Sequence, residues 1–454
     1  MKTAFPFLCF FCLTLLFLSG CEKSPSGHAN PGENKTTAQN ANAQPDAGFS
    51  TPAEPAEPAV PYESKLENLY EAVTKGTVDD IRYFIAYGTD FEEKYDNDWT
   101  GLLIDAAHSN TKVDVFKYLI EQGADVNAEG KGMDSGFCFV HCPGSALLHA
   151  VECNKSLDVV KYLIEQGADV NALDGGCSTP LHFAAYFSRI QMMKYLIEQG
   201  ANVNAINADG DTPIFRAADL TDNIEVFKYL VEQGADFDMT NNEGETLLLR
   251  AANSITNVAI LKYLVELGLD IHAKDYNDRT LLHRAASFYH IFVGQRGSNI
   301  NVLKYLISQG LDINAKDING LTPLHHLARY SNYREQSNYR EEREENYINV
   351  VDYLVTAGAD INAKDKEGRT PLHSAVLHSH KGIGFRIAKS LIEKCADVNI
   401  KDNYGKTPVD YTKDINDMSS FQRTKNKEIE TLLRNASGKS GEELTTSKSD
   451  ATDE

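Results

Sequence analysis

The octapeptide Lys-Tyr-Leu-Ile-Glu-Gln-Gly-Ala recurs at Lys117–Ala124, Lys161–Ala168 and Lys194–Ala201, with close variants ending at Gly234, Gly268, Gly310 and Gly358. From Gly167 the closing glycines follow at intervals of 33, 34 and 34 residues, and more widely after Gly268. A period of this size is one small supersecondary unit that cannot bury its apolar face alone, so the units must stack. A stack replaces the roughly three domains that a length of 454 residues would otherwise suggest.

Two apolar patterns fill each period. Counted back from the closing glycine, apolar residues stand eight, seven, four and three places earlier, as in Val159, Val160, Leu163 and Ile164 before Gly167. Met192, Met193, Leu196 and Ile197 repeat the pattern, as do Val350, Val351, Leu354 and Val355. This spacing predicts one buried face of an α-helix, which glycine ends in a left-handed cap. A second apolar segment precedes it, Thr179-Pro180-Leu181-His182-Phe183-Ala184-Ala185, with counterparts at Thr212-Pro213, Thr322-Pro323-Leu324-His325 and Thr370-Pro371-Leu372-His373. Threonine suits an N-cap and proline the first helical turn, where its missing N–H costs nothing. The pairs Ala184-Ala185, Ala217-Ala218 and Ala251-Ala252 let neighbouring helices approach closely.

Thr-Pro-Leu-His-x-x-Ala followed by Gly-Ala-Asp-Val-Asn-Ala resembles the ankyrin repeat, over roughly Leu66 to Ala436. The resemblance implies an all-α solenoid of about ten helix pairs, with Leu66–Gly88 and Thr407–Ala436 as the atypical capping units. It also implies short β-hairpin fingers at the Asp-x-Asn segments, such as Asp169-Val170-Asn171, and a concave groove lined by fingers and inner helices. Arg216 and Arg250 depart from the motif, and Cys395 replaces a capping glycine as an expected buried thiol.

The ends have a different composition. Residues 1–20 carry one lysine and an apolar run from Phe5 to Leu18, which predicts an export signal rather than a membrane span. Leu18-Ser19-Gly20-Cys21 is similar to the bacterial lipobox, which implies an acylated Cys21 carrying palmitate or a related chain. Glu22 after it favours the outer membrane by the same analogy, with the periplasmic or the surface face left open. Residues 21–61 are rich in Ala, Pro, Asn, Gln and Glu and predict a disordered tether. The folded domain is then expected over 62–436, and a disordered tail over 437–454. A net charge of −21 argues against nucleic acid as a partner.

Eight cysteines are present. With Cys9 and Cys12 in the export signal and Cys21 lipidated, four of the rest, Cys138, Cys142, Cys153 and Cys177, fall close together and are candidates for disulfides. A bridge from Cys138 or Cys142 to Cys177 would staple two neighbouring fingers. Cys138, His141, Cys142 and Cys177 also offer a tetrahedral zinc shell, so a metal- or redox-active envelope protein is the alternative reading. His149, His182, His283, His325 and His373 recur at the motif position, which favours a structural role, and His378 and His380 read as solvated loop residues. No phosphate loop, nucleophile elbow or His-Glu-x-x-His helix occurs, so neither an enzyme, a cofactor nor a small-molecule substrate is expected.

Positions that break the repeat are free to specialise. Gly130–His141 lengthens a finger and supplies Met133, Phe137 and Phe139, which either meet a partner or fold back as a small apolar cluster. Phe288–Asn299 and Tyr330–Tyr347 lengthen turns between helices, and the second predicts a solvated helical extension. Within it, Tyr333, Arg334, Tyr339 and Arg340 are partner-binding candidates. The regular tyrosines, such as Tyr162, Tyr195 and Tyr229, read instead as packing residues between outer helices. A membrane-tethered module that binds an unidentified protein is the expected function.

Overall fold

The computed structural model describes residues 64–87, 90–95, 98–130, 144–287, 300–329, 340–378, 384–413 and 420–444, all within one unit, 60–454. Ten helix pairs follow one another. They are α1 (Leu69–Lys75) with α2 (Val78–Tyr87), then, after the single α3 (Asp90–Tyr95), α4 (Trp99–Ser109) with α5 (Val113–Glu121) and α6 (Ala146–Glu152) with α7 (Leu157–Glu165). The middle pairs are α8 (Pro180–Tyr186) with α9 (Ile190–Glu198), α10 (Pro213–Leu220) with α11 (Ile224–Glu232), and α12 (Leu247–Ser254) with α13 (Val258–Glu266). Then come α14 (Leu281–Ser287) with α15 (Ile300–Ser308), α16 (Pro323–Arg329) with α17 (Arg340–Thr356), and α18 (Pro371–Leu377) with α19 (Gly384–Glu393). A short 3-10 helix, Pro408–Thr412, with α20 (Ser420–Asn435) completes the set.

The first helix of each pair packs on the first helices of its neighbours, α8 on α10 and α10 on α12, and the second helices form a parallel outer row. Both expected apolar faces are buried. Val159, Val160 and Leu163 lie in the same core as Leu69 near one end and Leu433 near the other. Each alanine pair, such as Ala184-Ala185, is fully buried, so the inner helices meet at close range. Apolar surface buried continuously along the stack, at about 25 cal/mol per Å², holds units that could not fold singly. The outer-helix tyrosines pack against this core as expected, and Lys161, Lys194, Lys262 and Lys304 each lie over the tyrosine ring of the next unit.

The fingers differ from the expectation. Among the described residues there is no β-hairpin and only one isolated bridge, Thr240 with Thr246. Side chains take the place of the ladder. Asp169 Oδ1 accepts the Asn171 N–H at 2.9 Å, and the Asn171 amide spans to the next unit, donating to the Gly200 carbonyl at 3.1 Å and accepting from the Asn202 N–H at 2.8 Å. Asn127, Asn204 and Asn314 repeat this clamp. Short Asp and Asn side chains thus satisfy the finger backbone locally, which competes with strand pairing. At the tips single backbone bonds join successive fingers, such as Tyr276 N–H to the Glu243 carbonyl at 3.2 Å.

Cys395 is exposed, not buried, and sits at φ +66° in the capping place. The reason is visible at Gly167 and Gly200, where an added Cβ would meet nothing within 4 Å, because this position points to solvent. Glycine serves here for its left-handed backbone alone, which costs another residue about 1–2 kcal/mol. Cys395→Gly should therefore raise stability by about 1 kcal/mol in denaturant unfolding; a loss would show that the thiol makes a contact the cap geometry does not reveal.

The folded unit also runs past Ala436, where the tail was expected to begin. Ser440 is buried, Lys439 N–H donates to Asn399 Oδ1 at 2.8 Å, and Gly441 N–H donates to Asp410 Oδ2 at 2.6 Å. Residues 437–444 close the last unit by supplying the finger contacts a following repeat would make. Among the described residues no helix is long and apolar enough to cross a membrane.

Candidate partner-binding surface

From α8 onward the inner helices begin at a threonine, and in α8, α14, α16 and α18 a histidine three residues on holds the next finger. Thr179 N–H donates to His182 Nδ1 at 3.0 Å, which leaves the Nε2–H to donate to the Asp211 carbonyl of the next unit at 3.1 Å. His283, His325 and His373 make the same pair of contacts, reaching the Leu321, Arg369 and Lys406 carbonyls. An imidazole whose Nδ1 accepts a backbone N–H must be neutral, and burial pushes all four down to about 4. These histidines are therefore scaffold. His149 does not belong with them, because Leu148 occupies the motif position. His149 lies one place on, buried and stacked on His108 with ring centroids 4.6 Å apart, and burial again lowers it to about 4.

The place after the motif histidine holds Arg216 in α10, Arg250 in α12 and Arg284 in α14. They build one ionic row. Arg216 Nη1 is 2.6 Å from Asp219 Oδ2, while Arg250 Nη2 is 2.9 Å from Asp211 Oδ1 and Arg250 Nη1 is 3.3 Å from Asp219 Oδ1. Glu245 lies between the last two arginines, 3.1 Å from Arg250 Nε without hydrogen-bond alignment and 2.5 Å from Arg284 Nη2. Asp275 completes the row, 2.6 Å from Arg284 Nη2. Burial raises the Asp219 and Asp211 carboxyls, and the arginines offset this only in part. Arg250 is buried too, but Asp219, Asp211 and Glu245 hold it firmly protonated. The two arginines that break the motif are thus a self-neutralised structural row. The sequence reading missed Asp211, Asp219, Glu245, Asp275 and Arg284, although an acid five residues before Arg216 and Arg250 was a visible signal.

Most of the exposed large apolar side chains among the described residues lie on the fingers. Leu173 and Ile206 occupy the same finger position in successive units, Ile206 being 56% exposed. Tyr276 and Ile318 stand at successive finger tips two positions on, and Tyr276 is 72% exposed although one edge of its ring covers Gly244. Apolar side chains held outward on backbone-bonded fingers can meet a partner with little ordering cost.

Met133, Phe137, Phe139, Tyr333, Arg334 and Tyr339 fall outside the described residues, as do Cys21, Cys138, His141, Cys142 and His380. Arg340 opens α17, which lengthens to 17 residues as the insertion predicted. Cys153 caps the C-terminus of α6, Cys177 turns a finger at φ +60°, and among the described residues no disulfide joins them to each other or to Cys395. No group of three or more His, Cys, Asp or Glu able to hold a metal occurs among the described residues.

Paired short and longer helices stacked on one continuous core define a helical repeat solenoid. Models of ankyrin repeats match residues 69–174, 147–241, 223–295 and 343–412, and two further ankyrin-repeat models match 289–334 and 319–366. The chain belongs to the ankyrin-repeat family. No curated protein matches it.

Proposed function

We infer that this protein is a lipid-tethered protein-binding module of a bacterial envelope, using its fingers and inner helices as a rigid interaction surface. The observation that carries the binding reading is the row of outward apolar side chains, Leu173, Ile206, Tyr276 and Ile318, on fingers fixed by side-chain and backbone bonds. Ankyrin repeats generally mediate protein–protein interaction, and the motif histidines and the arginine row are engaged in structural contacts. The tether rests on Leu18-Ser19-Gly20-Cys21 and the apolar run before it, with the outer membrane favoured by Glu22.

Cross-linking in intact cells followed by purification tests the module. One protein recovered with the parent chain and lost from an Ile206→Glu, Tyr276→Glu variant is the expected result, and recovery of nothing above a repeat-free control would sink it. Labelling with a palmitate analogue tests the tether, which requires incorporation in the parent and none in Cys21→Ala.

A further inference from the structure

The finger position of Leu173 and Ile206 changes character along the stack. It holds Thr240 in the next unit and then Lys274, Lys316, Lys364 and Lys401 in the four that follow. Lys274, Lys316 and Lys364 are exposed, and none has a carboxylate within 4.0 Å among the described residues. The strip is thus a local run of cationic side chains on a chain with 65 acidic residues against 44 basic ones.

The nearby acids are held by backbone amides instead. Asp270, Asp312 and Asp360 each accept the N–H two residues ahead, and Asp275, Asp317 and Asp365 accept the N–H groups of their own finger turns. Lys316 Nζ donates to the Lys364 carbonyl at 2.9 Å and Lys364 Nζ to the Lys401 carbonyl at 3.2 Å, which aligns the ammonium groups along the fingers. Each keeps donors for a partner, since an ammonium has three.

We propose that this strip binds an extended acidic polypeptide segment, its acidic residues over Lys274, Lys316 and Lys364 and its apolar residues over Leu173 and Ile206. The proposal rests on the binding-module reading and names the chemistry of the partner. Neighbouring helices pack about 8–10 Å apart, and an extended chain in the polyproline II form rises about 3.1 Å per residue with three residues per turn, so that every third side chain faces the same way. Acidic residues at every third position therefore match one finger each. A peptide fits better than a nucleic acid, because the net charge of −21 repels a polyphosphate everywhere beyond this strip. The apolar end also has no use for phosphates.

The test is fluorescence anisotropy on the purified full chain with labelled synthetic peptides. One carries two leucines and then three glutamates at every third position, and its isomer of equal composition has the glutamates at every second. The expected result is about tenfold tighter binding of the first, lost in the triple variant Lys274→Glu, Lys316→Glu, Lys364→Glu. The triple Lys→Met variant keeps the side-chain stems and controls for folding; it should weaken binding in the same direction. Equal binding of both isomers, unchanged binding by the triple variants, or tighter binding of an oligonucleotide of equal charge would overturn the proposal. In the cross-linking experiment, recovery of one protein by parent and triple variant alike would overturn it too, while leaving the binding-module reading in place.

Discussion

Lowering the pH from 6.5 to 4 is expected to unfold much of this protein, with uptake of several protons. His149, His182, His283, His325 and His373 are each displaced from 6.5 to about 4 by burial. Their folded-state values are depressed, so each contributes stability that is full above 6.5 and is lost as the pH falls through 4. A displacement of that size corresponds to roughly 3 kcal/mol per histidine at the acid end. Two or three such protonations equal most of the net stability of an ordinary domain, about 5–15 kcal/mol. Buried carboxyls act the other way. Asp105, Asp174, Asp211 and Asp219 are raised by burial, and protonating them favours the fold as the pH falls.

The histidine contribution is separable because protonating Nδ1 also breaks the contact to the threonine N–H, as at Thr322 and His325. His325→Asn keeps an acceptor near that N–H but cannot titrate. It should be less stable than the parent at pH 7, yet lose less between pH 7 and pH 4.5 in urea unfolding. Parallel pH profiles for parent and variant would remove histidine from the account. If the profiles diverge and proton uptake falls by about one per substitution, the repeat histidines are the acid sensor of the scaffold.

Much of the fold was legible because the repeat declares its own geometry. The apolar positions before each closing glycine place one helix and Thr-Pro-Leu-His and its variants place the other in the later units, while the resemblance to a known repeat extends the count to the ends. The fingers were misread, since the Asp-x-Asn residues that resemble strand ends in fact spend their side chains on the backbone, as Asp169 and Asn171 do. The end of the domain was misplaced because Ser437–Leu444 has a tail-like composition, and only the bonds from Asn399, Thr407 and Asp410 reveal its role as a cap. For the site, the sequence directed attention to insertions, whereas the finger positions of Leu173, Ile206 and the lysines keep the repeat register. Their specialisation shows only when equivalent positions are compared from unit to unit.

Replacing Arg250 by methionine should cost about 3–5 kcal/mol, the largest loss expected from any single substitution here. Methionine fills much of the space, so the loss is electrostatic. Asp219, 3% exposed, would keep only Arg216, Asp211 would lose both bonds from the guanidinium, and Glu245 would keep Arg284. The sign of the pH dependence identifies the cause. With Arg250 gone, the Asp211 and Asp219 carboxyls, already raised by burial, rise further, and protonating them relieves the uncompensated charge. The deficit of Arg250→Met relative to the parent should therefore shrink as the pH falls from 7 to 5, against the histidine trend that lowers both proteins. Adding Asp219→Asn to Arg250→Met should recover part of the loss at pH 7, since it removes one of the buried, stranded acids. A loss below about 1 kcal/mol that does not change with pH would mean that the row is solvated and holds nothing. A large loss that the second substitution does not reduce would place the contribution of Arg250 in packing of its stem rather than in its charge.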